Sequence, residues 1–144
     1  MIILVINCGS SSIKYQLLDM KNDDVYSLLA KGIVEKIGLE CGRLQHTPAG
    51  KEKVVKDLPV PDHTVGMQIV LDALIDKDHG VLKSFDDIEA VGHRIVQGAD
   101  FFSGSAIVDE DVIKKIDFCC DFAPLHNPAH LLGIRACQEV LPSV

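Results

Sequence analysis

The sequence predicts an α/β or α+β domain organised around a mixed β-sheet. Three observations support that class. Strand-like segments fill the N-terminal part of the chain, to about residue 61. Apolar positions then switch to helical spacing between His63 and Ile75. A further apolar strand, Ala90–Val96, precedes two more helical stretches, and strands followed by mixed elements place helices against a sheet.

Each element has its own signal. Residues 2–6 do not alternate and read as a fully buried strand. Residues 13–19 alternate, with Ile13, Tyr15 and Leu17 pointing one way and Lys14 and Gln16 the other. A short Gly/Ser turn joins these two, so they form an antiparallel hairpin. Met20 to Asp24 is a second polar turn, and Tyr26–Val34 is a third strand. Residues 35–61 mix glycines, prolines and short β-like pieces such as Val54-Val55, an irregular extension of the sheet. Met67, Val70, Leu71 and Leu74 line one face of a helix that Asp62 caps. Ser84–Ile88 forms a short helix, and Asp109 to Phe118 another. In the last helix, running to about Leu141, Asn127 caps and Pro128 takes the first helical position.

Composition bounds the class of protein. At 144 residues the chain is one domain with room for a core, and 47% hydrophobic with 24% charged residues is globular. No apolar run approaches the roughly 20 residues of a membrane helix, and MIILVI lacks the basic flank of a signal peptide. The expectation is a cytoplasmic protein with no membrane partner. A net charge of −7 argues against nucleic acid, which basic surfaces bind. It leaves room for a small anion held by local donors. Five cysteines at irregular spacing, Cys8, Cys41, Cys119, Cys120 and Cys137, show no CxxC pair and read as buried thiols.

Three stretches have chemistry in them. "NCGSSSIK" (Asn7–Lys14) is not a P-loop: Ile13 precedes the lysine, Tyr15 follows it, and the next element is a strand. There is also no GxGxxG and no GxSxG. A Gly/Ser hairpin turn can still hold an anion through backbone N–H groups, serine hydroxyls and the Lys14 charge. Asn7 offers an oxygen suited to a Mg²⁺ shell. The alternative is an ordinary turn, where glycine and serine are common. "VGHRIVQG" sets Arg94 within an apolar strand, where it needs an anion or a structural salt bridge. "APLHNPAH" puts His126 just before a helix. His126 and His130 have the spacing of a helical metal pair, but Asn127-Pro128 leave His126 outside the helix, so the rings need not share a face.

Taken together, "NCGSSSIK", "GHRIVQGADFFSGS" and "APLHNPAHLLGI" resemble the N-terminal part of the acetate kinase (acetokinase) family, across essentially all 144 residues. The first and third motifs are shared with propionate and butyrate kinases, and the second favours acetate kinases among them. The resemblance implies a ribonuclease H-like lobe of the sugar kinase, Hsp70 and actin superfamily, with a mixed sheet, an N-terminal β-hairpin phosphate loop and flanking helices. It implies reversible phosphoryl transfer from ATP to acetate, giving acetyl phosphate and ADP, with Mg²⁺ or Mn²⁺ as cofactor.

Residue by residue, the resemblance assigns Asn7 to the metal and Ser10, Ser12 and Lys14 to nucleotide phosphates. Arg94 matches a substrate arginine that engages acetate and the phosphoryl group, and His126 a transition-state histidine. Val96 and Leu125 match the lining of a small pocket for the acetate methyl. The sequence departs from the family pattern at Gln97 and Ala99, where His and Gly are usual, and at Ala129-His130, where Pro-Asn is usual. Those changes touch local loop geometry. The resemblance also implies that residues 1–144 are one lobe of a longer chain, usually a homodimer. The catalytic aspartate, a second arginine, a further histidine and the nucleotide and dimerisation lobe would lie beyond Val144. The alternatives are a propionate or butyrate kinase, and a non-catalytic phosphate- or nucleotide-binding module of the same fold.

Overall fold

The computed structural model describes all 144 residues. Its strands are β1 (Ile2–Gly9), β2 (Ser12–Asn22), β3 (Val25–Glu35), β4 (Gly42–Pro48), β5 (Val54–Leu58) and β6 (Ala90–His93). The helices are α1 (His63–Ile75), α2 (Glu110–Phe118) and α3 (Asn127–Val140), with short 3₁₀ turns at Phe85–Asp87 and Cys119–Asp121. One sheet contains all six strands in the order β5-β4-β3-β2-β1-β6. The first five strands form an antiparallel meander, and β6 joins β1 in parallel. The sheet is therefore mixed, as the sequence predicts.

The meander is written locally. Ser10 and Ser11 form the two-residue turn between Gly9 and Ser12, which are paired across the hairpin. At the next turn the Asn22 side chain accepts from the backbone N–H groups of Asp24 and Val25, at 3.1 and 3.0 Å. Residues 35–61 are more regular than the sequence suggests. β4 and β5 pair in register from Gly42↔Leu58 to His46↔Val54, and Gly50 takes a positive φ of 72° in the tight loop between them.

Both long helices pack on one face of the sheet. Leu4, Ile6, Cys8, Ile13 and Leu17 point into that layer and meet Met67, Leu71 and Leu74 of α1 and Ala136 and Cys137 of α3. Asp62 caps α1 as expected, its side chain accepting from Val65 N–H at 2.8 Å. A smaller cluster of Ile113, Ile116 and Ile134 joins α2 to α3.

The sequence reading of β1 as fully buried is corrected. Burial alternates along it: Leu4, Ile6 and Cys8 are buried, whereas Ile3, Val5 and Asn7 are half-buried. No helix of this chain lies over the second face, so β1 has one core side despite its continuous apolar run. The thiol expectation is also corrected in part. Cys8, Cys119 and Cys137 are buried, Cys120 is half-buried and Cys41 is exposed; all five are free.

Candidate active site

The C-terminal ends of the two parallel strands β1 and β6 define the site. Their register pairs Ile6 with His93, so its next step sets Asn7 beside Arg94. The Arg94 backbone N–H continues that ladder onto the Ile6 carbonyl at 3.1 Å. Across the other edge of β1, Asn7 pairs with Lys14, on the same side of the pleat. Asn7, Lys14 and the Arg94 backbone thus come together at one end of the sheet, next to the turn that carries Ser10 and leads into Ser12.

That turn is held from below. His63, at the start of α1, donates through Nε2–H to the Gly9 carbonyl at 2.8 Å. Ile37 N–H donates to the Ser11 carbonyl at 3.0 Å. The hairpin tip is therefore tied to α1 and to the β3–β4 loop, while Ser10 and Ser11 remain exposed. Sequence reasoning did not single out His63. Its only signal is its place directly after the capping Asp62.

Arg94 differs from its expected setting. β6 ends at His93, and Arg94 is exposed rather than buried in a strand. Its guanidinium makes no ion pair and no side-chain hydrogen bond, so the structural salt-bridge alternative falls away. The reason lies in the strand end. The His93 ring donates through Nδ1–H to the Arg94 carbonyl at 2.7 Å, and the chain leaves the ladder there. An exposed, unpartnered arginine beside Asn7 is free to bind an anion.

The loop after Arg94 is clasped by two side chains of α3. Asn127 is fully buried, donates through Nδ2 to the carbonyls of Gln97 (2.8 Å) and Ile116 (3.3 Å), and accepts at Oδ1 from Gln97 N–H (3.2 Å). This corrects its expected role as helix cap: His126 is the N-cap residue, with no side-chain cap bond, and Pro128 is the second helical residue. The amide that would cap the helix is used instead to fasten α3 to the Arg94 loop and to α2. His130, one turn on, accepts from Val96 N–H at Nδ1, at 3.3 Å.

Three imidazoles cluster here. His130 stacks on His126 with ring centroids 6.3 Å apart and 24° between planes, and meets His93 edge-on at 5.7 Å. The rings of His126 and His130 thus do face each other, because His126 stands directly before the helix and its carbonyl accepts the His130 N–H at 3.1 Å. Burial, and then the neighbouring His93, His126 and Arg94, push the His130 pKa down to about 4. Burial likewise lowers His93, whose Nε2 is buried without a partner. Gly133 makes this packing fit, since a Cβ there would collide with Cys8 Sγ and His93 Nε2.

The two departures at Gln97 and Ala99 act together. Gln97 Oε1 accepts from Ala99 N–H at 2.8 Å, and Ala99 sits at φ 47°, a left-handed conformation that favours glycine. His126 is exposed, and Val96 and Leu125 are 46% and 79% exposed, next to the loop that holds Arg94. A depression of about 430 Å³ over the uncovered sheet face includes Asn7 and Lys14 together with Lys31 and Lys53, but not Arg94, Val96, Leu125 or His126. The residues thus form two groups that meet at Asn7 and Arg94, not one enclosed pocket. No three His, Cys, Asp or Glu side chains are grouped so as to hold a metal ion.

The structure thus gathers a tethered Gly/Ser hairpin, a free arginine and a histidine before a helix at one end of the sheet. The acetokinase family model matches residues 2–144, and this chain belongs to that family. It is 52% identical to an acetate kinase of Alkaliphilus metalliredigens over 142 residues, covering 99% of this chain and 35% of that protein. It is 53% identical to an acetate kinase of Treponema denticola over 140 residues, covering 97% and 34%. Among solved structures it resembles an acetate kinase from Porphyromonas gingivalis, with TM-score 0.94 and 44% identity over 99% of this chain and 35% of that one. It also resembles a propionate kinase from Francisella tularensis, with TM-score 0.85 and 36% identity over the same shares. The chain spans about a third of the length of these relatives. The actin-like mixed α/β fold expected from the sequence is the fold it shares with them. No helix is long and apolar enough to cross a membrane.

Proposed function

We propose that this chain is the N-terminal lobe of an enzyme that transfers the γ-phosphoryl group of ATP to the carboxylate of acetate, reversibly. A carboxylate oxygen of acetate attacks the γ-phosphorus, the bond from phosphorus to the β,γ-bridging oxygen breaks, and acetyl phosphate and ADP result. Negative charge spreads over the equatorial phosphoryl oxygens, so catalysis rests mainly on positioning and charge neutralisation. Arg94 supplies a full positive charge to the acid and the moving phosphoryl group, and His126 a donor to the same oxygens. Lys14, Ser10 and Ser12 serve the nucleotide phosphates from the hairpin. Val96 and Leu125 contribute apolar surface for the acetate methyl.

The observation that supports this best is the free, exposed Arg94 set beside Asn7, one register step beyond the Ile6–His93 pair. Asn7 brings one neutral oxygen and no carboxylate stands with it, which fits an ion that arrives on the nucleotide phosphates and keeps several waters. When bound, Mg²⁺ or Mn²⁺ neutralises phosphate charge. The catalytic aspartate, the adenosine site and the homodimer contacts belong to the rest of the longer chain, and ATP and acetate as substrates place the enzyme in the cytoplasm.

A hydroxamate assay tests this reading. The complete enzyme forms acetyl phosphate from ATP and acetate, which added hydroxylamine traps as acetohydroxamate with release of phosphate, whereas residues 1–144 alone are essentially inactive; turnover by the fragment near that of the complete enzyme overturns the assignment of the remaining groups to another lobe. The likeness to a propionate kinase favours a second reading, in which a larger acid is preferred. A methylene is worth only about 1–3 kcal/mol in a small apolar pocket, so comparing kcat/KM for acetate, propionate and butyrate separates them. Phosphate or nucleotide binding by the complete protein without turnover of any acid points instead to a binding module.

A further inference from the structure

We infer that His130 is a positioning residue, which holds the acid-side loop through Val96 and the transition-state histidine through ring stacking. This rests on the acetate kinase reading and deepens it. His130 lies in the first turn of α3 and is 2% exposed. Its Nδ1 accepts the Val96 N–H at 3.3 Å, so the proton of the neutral ring is on Nε2. Its face lies against His126 at 6.3 Å and its edge against His93 at 5.7 Å. One side chain thus fixes the backbone of the loop carrying Arg94 and Val96 and, at the same time, supports His126.

The acceptor role requires an unprotonated Nδ1. His93 from β6, His126 from the segment before α3 and Arg94 from the loop all oppose a second positive charge, and burial adds to them. The ring stays neutral through the physiological range, and the clasp with it. Asn127 fastens the next residue, Gln97, through its backbone. The loop is therefore held at two successive positions, of which the Val96 contact is the nearer to Arg94.

The test compares His130→Phe and His130→Asn in the complete enzyme. Phenylalanine keeps the ring but removes the acceptor, while the Oδ1 of asparagine stands at the same bond separation from Cα as the histidine Nδ1. The loss of one such hydrogen bond is worth about tenfold. His130→Phe therefore lowers kcat/KM for acetate about tenfold, leaves KM for ATP within about twofold, and speeds amide exchange in the peptide containing Val96. His130→Asn restores the slow Val96 exchange and part of kcat/KM for acetate, since it returns the acceptor but not the ring that stacks on His126. If both variants change the acetate and ATP parameters alike, His130 only fills space, and the inference is overturned. An unchanged kcat/KM for acetate in His130→Phe overturns it as well. If the complete wild-type enzyme phosphorylates no acid, the function falls instead, and the Val96 amide exchange alone decides whether the clasp exists.

Discussion

Replacing Asn127 by alanine separates its two roles by size. A helix cap is worth about 1 kcal/mol. The structure shows instead a fully buried amide with three hydrogen bonds, to Gln97 N–H, Gln97 O and Ile116 O. At about 1 kcal/mol net each, their loss costs about 3 kcal/mol, and a little more for the groups left unpaired in the interior. Against a total stability of about 5–15 kcal/mol, the variant still folds but is clearly weakened. The chain has no tryptophan, so far-UV circular dichroism in urea is the suitable assay. With a slope of about 1–3 kcal/mol per molar urea, the midpoint falls by about 1–3 M. Asn127→Asp keeps the acceptor for Gln97 N–H, loses both donations and buries a charge, so it is no better than alanine. A loss of about 1 kcal/mol or less in Asn127→Ala refutes the clamp and returns Asn127 to the role of a cap.

Three further outcomes are expected. Ala99→Gly relieves the positive φ of 47° and stabilises the fold by about 1 kcal/mol in the same urea assay; a loss of stability contradicts the strain. His46, His93 and His130 are all held below the ordinary histidine value of 6.5, chiefly by burial, so the unfolded chain takes up protons first as the solution is acidified. Stability is complete above about pH 6.5 and is lost as pH falls from there toward 4, at up to roughly 1.4 kcal/mol per pH unit for each histidine within its window; a urea midpoint that is flat from pH 7 to pH 5 rules this out. Burial pushes the Cys8 and Cys137 thiols up to about 12 and about 11, so a thiol reagent labels exposed Cys41 first and half-buried Cys120 more slowly. Mass spectrometry of the native protein would contradict this if Cys8 were labelled as fast as Cys41.

Much of this fold is legible in local sequence. Alternation in Ile13–Leu17 gives the inner face of β2, and Asp62 before His63 marks the start of α1, because both signals are short-range. What was not legible depends on neighbours distant in the chain. The run Ile2–Ile6 looks buried on both faces, but only the placement of both α1 and α3 on one side decides that it has one core face. Arg94 looks buried because Val91 and Ile95 flank it, yet the strand stops at His93 and frees it. Asn127-Pro128 has the composition of a helix start, and the helix does start there, but the asparagine amide is taken by residues 11 and 30 positions away. Asn7, Lys14, Arg94 and His126 stood out as local candidates, but their particular roles, and Val96 and Leu125 altogether, could be named only by resemblance. The structure adds His63, Asn127 and His130 behind them: His63 has no distinctive local pattern, and the patterns at Asn127 and His130 pointed to a cap and a metal pair, not to the loop they hold.

The central claim is that the free arginine at the end of β6 serves phosphoryl transfer to a small carboxylic acid. Steady-state kinetics of Arg94→Ala in the complete enzyme, with ATP and acetate, test it most directly. Because Arg94 makes no ion pair and its side chain no hydrogen bond within this lobe, its removal leaves the thermal midpoint unchanged while lowering kcat by about two orders of magnitude or more. A kcat near that of the wild type, with the fold intact, would contradict the account.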